Sequence, residues 1–169
     1  MRDTNWKEFH KNDLSHSGAH YLMAIHEIHE EQGYVRLIDI AKSLNISKGS
    51  LSTSLKPLIK KGLIVEDTNK HLSLSAEGRE AAQKIQSTHS VVKHFLANVL
   101  NIDPNTADID ACKVEHLLSK TSTSRLLKLV KVLENNPTLK KSIDAEFHKY
   151  EDCSIKGCKK CNSEKCCLS

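Results

Sequence analysis

Cys112, Glu115 and His116 lie within the decapeptide DACKVEHLLS, Asp110 to Ser119, which holds no Gly or Pro to interrupt a helix. As a helix it projects these three side chains from one face, at i, i+3 and i+4, while Val114, Leu117 and Leu118 fall elsewhere around the axis. A thiolate, a carboxylate and an imidazole on one face make half of a transition-metal site, because such ions take about four to six donors. The remaining donors must come from a distant part of the chain. The same spacing suits a cysteine buried as a small apolar group beside a surface Glu-His pair, and the decapeptide by itself leaves both readings open.

A second concentration of donors closes the chain. Five of the six cysteines, Cys153, Cys158, Cys161, Cys166 and Cys167, occur in a C-x4-C-x2-C-x4-C-C pattern within EDCSIKGCKKCNSEKCCLS. That stretch has no apolar stripe with which to build a core. The N-terminus has charges but no apolar signal core, and no run approaches the length of a membrane span, so a cytoplasmic chain with no membrane partner is expected. In a reducing compartment, clustered cysteines favour metal over disulfides. Zinc, an iron–sulfur cluster and a free, redox-active thiol tail all remain open for these five.

The elements that must position these groups follow from periodicity. Residues 1–16 read as a polar N-terminal arm. From Gly18 to Gln32, Tyr21, Leu22, Ile25 and Ile28 recur at helical spacing, with His20 and Met23 near the start and Gly33 as a C-cap. Val35 to Leu44 reads as a second helix and Asn45-Ile46 as a turn. Ser47 caps a third helix whose buried stripe is Leu51, Leu55, Leu58 and Ile59. Pro57 lies inside it and is expected to kink or shorten it. Leu63 to Val65 and His71 to Leu74 flank a turn and predict a two-stranded wing. Ser75 then caps a long helix, reaching toward Leu100 and carrying His89. A final helix from about Ser124 to Glu134 is apolar enough, through Leu126, Leu127, Leu129, Val130 and Leu133, to require a cover, for which a second subunit is the expectation.

Helix, tight turn and a serine-rich, lysine-bearing helix form the helix-turn-helix pattern. The net charge is only +4, yet between Asp39 and Glu66 there are lysines 42, 48, 56, 60 and 61 and no acid. This block is therefore the expected contact with duplex DNA: Ser47, Ser50 and Thr53 for base edges, Lys48, Lys56 and Lys60 for phosphates. The fold class is mainly α, with a winged helix-turn-helix DNA-binding domain over 17–78, an all-helical metal-binding and dimerisation domain over 79–148, and the Cys-rich tail over 149–169.

In this order, over about residues 18–135, the pieces resemble the diphtheria toxin repressor and manganese transport regulator family of metal-dependent regulators. The segments that carry the resemblance are KKGLIVEDTNKHLSLSAEGRE, THSVVKHFLANVLNID and DACKVEHLLS. It is the short two-domain form, without a third SH3-like domain, to which the cysteine tail is an addition. The resemblance implies a homodimer with metal as corepressor and, position by position, the donors His20, Met23, His89, Cys112, Glu115 and His116. Manganese members place two carboxylates where this chain has His20 and Met23, and another where it has Cys112. Iron members use Cys at the last position and Met where His20 stands. The softer donors imply Fe(II), with Mn(II) and Zn(II) as alternatives. For an ancillary site His89 is kept and Asp108 can replace a ligand, but Lys93 occupies a place where a carboxylate is expected. The tail spacing resembles the cysteine loop of small winged-helix proteins of ferrous-iron uptake, associated with iron–sulfur binding.

The function expected is thus a metal-responsive repressor in which metal and operator binding are linked by about 1–3 kcal/mol. The rival is an iron-transport accessory module that uses the winged helix for protein contacts, with the tail as iron sensor and no affinity for DNA. An enzyme is disfavoured, since no nucleophile–base pair, phosphate loop or cofactor fingerprint is visible.

Overall fold

Local capping chemistry sets the boundaries of the first helices. In the computed structural model, which describes residues 14–147 and Lys149, helix α1 spans His16–Gln32. Ser15 Oγ accepts from the Gly18 N–H at 3.1 Å, and Gly33 ends the helix in the left-handed region, φ 79°, with its N–H donated to the His29 carbonyl. Helix α2 is Leu37–Ser43, shorter than the periodicity predicts. Val35 and Arg36 are extended instead, because the Val35 carbonyl accepts from Leu72 N–H at 2.8 Å and Arg36 bridges His71. Their backbone joins the wing rather than the helix.

The turn after α2 runs through Asn45 at φ 52° into helix α3, Lys48–Lys60, capped by Ser47 Oγ accepting from Ser50 N–H at 3.2 Å. Leu51, Leu55 and Leu58 are its buried stripe. Pro57 neither ends nor shortens this helix; it sits at an exposed position, and the Lys61 N–H still reaches its carbonyl at 3.0 Å. Ile59, expected in the core, is exposed and lines the cleft between α3 and the wing with Leu37, Leu55 and Leu72.

Strands β1, Ile64–Glu66, and β2, Leu72–Leu74, pair antiparallel with Ile64 opposite Leu74 and Glu66 opposite Leu72. Asp67 Oδ1 folds their turn by accepting from the N–H groups of Asn69 and His71, both at 2.8 Å. Tyr21, Leu22 and Ile25 of α1, Leu51 and Leu55 of α3, and Ile64, Leu72 and Leu74 of the wing form one core, which also takes in Ala82. Burial of each large member is worth about 1.5–3 kcal/mol.

Helix α4, Ala76–His94, begins at Ser75, whose Oγ accepts from Gly78 N–H at 3.0 Å. It continues into a π-helical turn over Phe95–Val99 that delivers the chain to helix α5, Pro104–Val114. Asp103 caps α5, its carboxylate accepting from Thr106 N–H at 3.0 Å. The fully buried Ala107 and Ala111 let α5 lie close along α4, which also packs on α1. Helices α6, Lys120–Glu134, and α7, Pro137–Phe147, follow. The described residues divide into two compact units between Val130 and Lys131, a boundary that falls within α6. No helix among the described residues is long and apolar enough to cross a membrane.

Candidate metal centre

The register of α1 puts His16, His20 and Met23 at i, i+4 and i+7, on one face of the helix. The Nε2 atoms of His16 and His20 are 3.2 Å apart, and their rings meet edge to face with centroids at 4.6 Å. From α5, Cys112 Sγ comes to 3.3 Å from His20 Nε2, across 92 residues of sequence. The donor atoms of His16, His20 and Cys112 all lie within 4.8 Å of one another. The ring of His116 stands beside them, its centroid 5.2 Å from that of His16. Met23 is half-buried.

Cys112 is still within α5, but regular helix ends at Val114. Glu115 keeps helical backbone angles and donates its N–H to the Ala111 carbonyl at 2.9 Å, and Leu117 closes a tighter turn onto Val114. The face anticipated for the whole decapeptide therefore persists only through Glu115. This is enough to send Glu115 inward: it is 1% exposed. Its Oε2 lies 2.8 Å from His89 Nδ1, while Oε1 has no hydrogen-bond partner among the described residues. A buried carboxylate with one bare oxygen is costly unless a proton or a cation meets it.

His89, on α4, is bonded at both ring nitrogens, because its Nε2 also lies 3.1 Å from Asp108 Oδ1. The same Asp108 oxygen receives the Lys93 ammonium at 2.6 Å. The residues expected for an ancillary site are thus close together, and an ammonium already neutralises them. Hydrogen bonds from Lys93 and then His89 hold the Asp108 carboxyl below its ordinary range.

The electrostatics of the donors favour a cation. Burial, then the negative charges of Glu115 and Asp108, push the Cys112 thiol up, with Lys113 opposing weakly. A thiol held protonated becomes a good ligand only when a metal displaces its proton. Burial and then the neighbouring His16 depress His116, against the pull of Glu115, so its imidazole is neutral and able to ligate at neutral pH. The donor set fits a divalent transition ion: one thiol, several imidazoles and an orphaned carboxylate oxygen.

Of the donors expected from sequence, His20 and Cys112 make direct contact, Glu115 contacts His89, and His116 joins through the ring of His16. His16 itself was not anticipated, since it falls in what reads as the N-terminal arm. The signal was present: His-x3-His at helical spacing. The five tail cysteines lie outside the described residues. Of the residues expected to meet DNA, Ser47, Lys48, Ser50, Thr53, Lys56 and Lys60 are all exposed. Gly49, Thr53, Lys56 and Lys60 recur at i, i+4, i+7 and i+11, centred opposite the buried leucines. Two of the hydroxyls also serve the backbone, Ser47 as cap and Thr53 by donating to the Gly49 carbonyl at 3.2 Å.

Comparison with known proteins gives consistent matches. Residues 13–72 match the family described as iron dependent repressor, N-terminal DNA binding domain, and residues 75–144 match the iron dependent repressor, metal binding and dimerisation domain. The HTH-type transcriptional regulator MntR of Lysinibacillus sphaericus is 30% identical over 114 residues, covering 68% of this chain and 81% of that protein. The iron-dependent repressor IdeR of Mycobacterium leprae is 29% identical over 127 residues, covering 75% of this chain and 54% of that one. Among solved structures, the metal-dependent transcriptional regulator MtsR superposes with a TM-score of 0.61 at 26% identity, covering 69% of this chain and 54% of MtsR. The chain thus spans about half the length of the last two.

Proposed function

Because the chain belongs to the iron-dependent repressor family of metal-dependent, DNA-binding transcriptional regulators, which are not enzymes, we propose that it acts as a homodimeric cytoplasmic repressor whose effector is Fe(II). Mn(II) and Zn(II) are the competing ions. The observation that carries this reading is the 3.3 Å approach of Cys112 Sγ to His20 Nε2, which ties α5 to the first helix of the winged-helix block. Leu22 and Ile25 on α1 share a core with Leu51 and Leu55 on α3. A restraint on His20 is therefore felt by the recognition helix.

In this reading the winged-helix domain occupies 17–78 and the dimerisation domain 79–148. The ligands are His20, Met23, Cys112, Glu115 and His116, with His89 as a further donor through a nitrogen that now faces Glu115 or Asp108. A bound divalent cation supplies the positive charge that holds thiolate, carboxylate and imidazoles together. The chain does the rest. With a cation bound, Cys112 would release its thiol proton to solvent and Glu115 would offer its bare oxygen, so that α1 would be held against α5. In a dimer this fixes the separation of the two α3 helices, which must be about 34 Å to enter successive major grooves on one side of the duplex. Thr53, Ser50 and Ser47 then face base edges, and Lys48, Lys56 and Lys60 face phosphates.

The tail thiols Cys153, Cys158, Cys161, Cys166 and Cys167 are proposed to hold a second thiophilic centre, either an iron–sulfur cluster or zinc. Acid-labile sulfide in anaerobic protein distinguishes the two, and protein without sulfide or zinc there would count against both.

The test of the main reading is anaerobic titration of Fe(II) and Mn(II) against binding to the DNA upstream of the chain's own gene. Fe(II) is expected to raise affinity by roughly 5- to 150-fold, more than Mn(II), and Glu115→Ala to abolish the rise. Operator binding indifferent to either metal would overturn it and favour an accessory role in iron transport.

A further inference from the structure

We infer that His16 is a metal ligand and that, with His20 and Cys112, it makes a thiolate–bis-imidazole set that selects Fe(II), Co(II) and Zn(II) against Mn(II). The inference rests on the metal-responsive reading above and extends it to a residue outside the donors assigned there.

Geometry is the first support. Two nitrogens about 2.05 Å from a common ion, at a tetrahedral angle, are about 3.3 Å apart, and a nitrogen and a thiolate sulfur about 3.6 Å. The observed separations are 3.2 Å for His16 Nε2 to His20 Nε2 and 3.3 Å for His20 Nε2 to Cys112 Sγ. These are the spacings of atoms that share a coordination sphere. His16 is the exposed member, so rotation of its side chain can adjust the remaining His16–Cys112 distance without disturbing the core.

The second support is the hydrogen-bond inventory. His20 Nε2 faces both His16 Nε2 and Cys112 Sγ. A single ring nitrogen offers either one proton or one lone pair, so hydrogen bonding serves this three-way meeting poorly. A cation accepts all three lone pairs at once.

Selectivity follows from donor type. Mn(II) prefers carboxylate, carbonyl and water oxygens, whereas imidazole and thiolate suit Fe(II), Co(II) and Zn(II). A second imidazole moves the set further from manganese than His20 and Cys112 do by themselves.

Co(II) and Mn(II) are the probes, with full-length reduced dimer, His16→Ala and His16→Asp. The tail thiolates absorb equally in all three proteins, so the spectral difference between variant and parent reports this site. His16→Ala is expected to weaken Co(II) binding by roughly 10- to 100-fold and to shift the visible and thiolate charge-transfer bands of the cobalt-loaded site. Asp is a favourable residue in a first helical turn, so His16→Asp retains the fold while supplying an oxygen donor. It is expected to recover binding with the preference moved toward Mn(II). Unchanged Co(II) affinity and spectrum in His16→Ala would overturn the assignment of His16 as a ligand. Equal losses for the two ions, with no shift in His16→Asp, would overturn the selectivity. Either result is separable from failure of the repressor reading, which is decided by whether metal alters DNA binding in the parent protein.

Discussion

Glu115 concentrates the energetic question at the scale of single residues. Its carboxylate is buried with one oxygen bonded to His89 and the other bare. In metal-free protein, Glu115→Gln is expected to leave stability unchanged or raise it by about 1–3 kcal/mol, since an incompletely satisfied buried charge is removed. The same change should abolish high-affinity metal binding. Urea unfolding with and without metal checks both signs, and a destabilised metal-free variant would contradict the account. Lys93 suggests the converse experiment. Its ammonium lies on Asp108 at 2.6 Å, so Lys93→Glu exchanges a fixed cation for a carboxylate and should add one divalent ion per chain, measured by metal analysis after dialysis. The titration of His116 also has a definite sign. Burial depresses it from the ordinary 6.5, so its contribution to the stability of metal-free protein is fully present above pH 6.5. That contribution is lost as pH falls through the lower folded-state value, when the folded ring must take up a proton. The stability difference between parent and His116→Asn should therefore shrink as pH drops from 7 toward that value; a difference constant with pH would refute it.

At the scale of elements, the joint between the wing and α4 is tight at one atom. A Cβ on Gly78 would collide with the carbonyl of Leu63, whose oxygen also accepts from Ser75 N–H at 3.1 Å. Gly78→Ala is expected to cost about 1–3 kcal/mol as an overpacking substitution, read as a lower urea midpoint. Sequence periodicity found α1, α3, the wing and the long α4 because each carries its own buried stripe and cap. It could not find the extended backbone of Val35 and Arg36, since what holds them is the wing strand Leu72, far along the chain. Nor could it foresee that Pro57 is tolerated, because the cost of a missing N–H depends on which way the ring faces. The centre was partly legible for the same reason. Spacing within one helix put Cys112 and Glu115 on one face and His16 and His20 on another, whereas the 3.3 Å approach of His20 to Cys112 depends on the meeting of α1 with α5.

At the scale of the whole molecule, α6 keeps Val130 and Leu133 buried while Leu127, Leu129 and Val132 are exposed at 37–54%. If these three are covered in a homodimer, Leu129→Glu with Val132→Glu should yield monomer in sedimentation and weaken operator binding. A dimer retained at full strength would place the interface elsewhere. If α3 presents Lys56 and Lys60 to phosphates, Lys56→Ala and Lys60→Ala should each reduce the slope of log affinity against log salt by about 1, leaving metal affinity in the absence of DNA unaltered. The contact between His20 and Cys112 has one more consequence, in the order of biosynthesis. The core that presents α3 is complete once the chain has been made as far as Ala82. Cys112 emerges 30 residues later, roughly 2–6 s at ordinary rates of synthesis. Each new chain thus completes the core that holds α3 before the cysteine that meets α1 has been made.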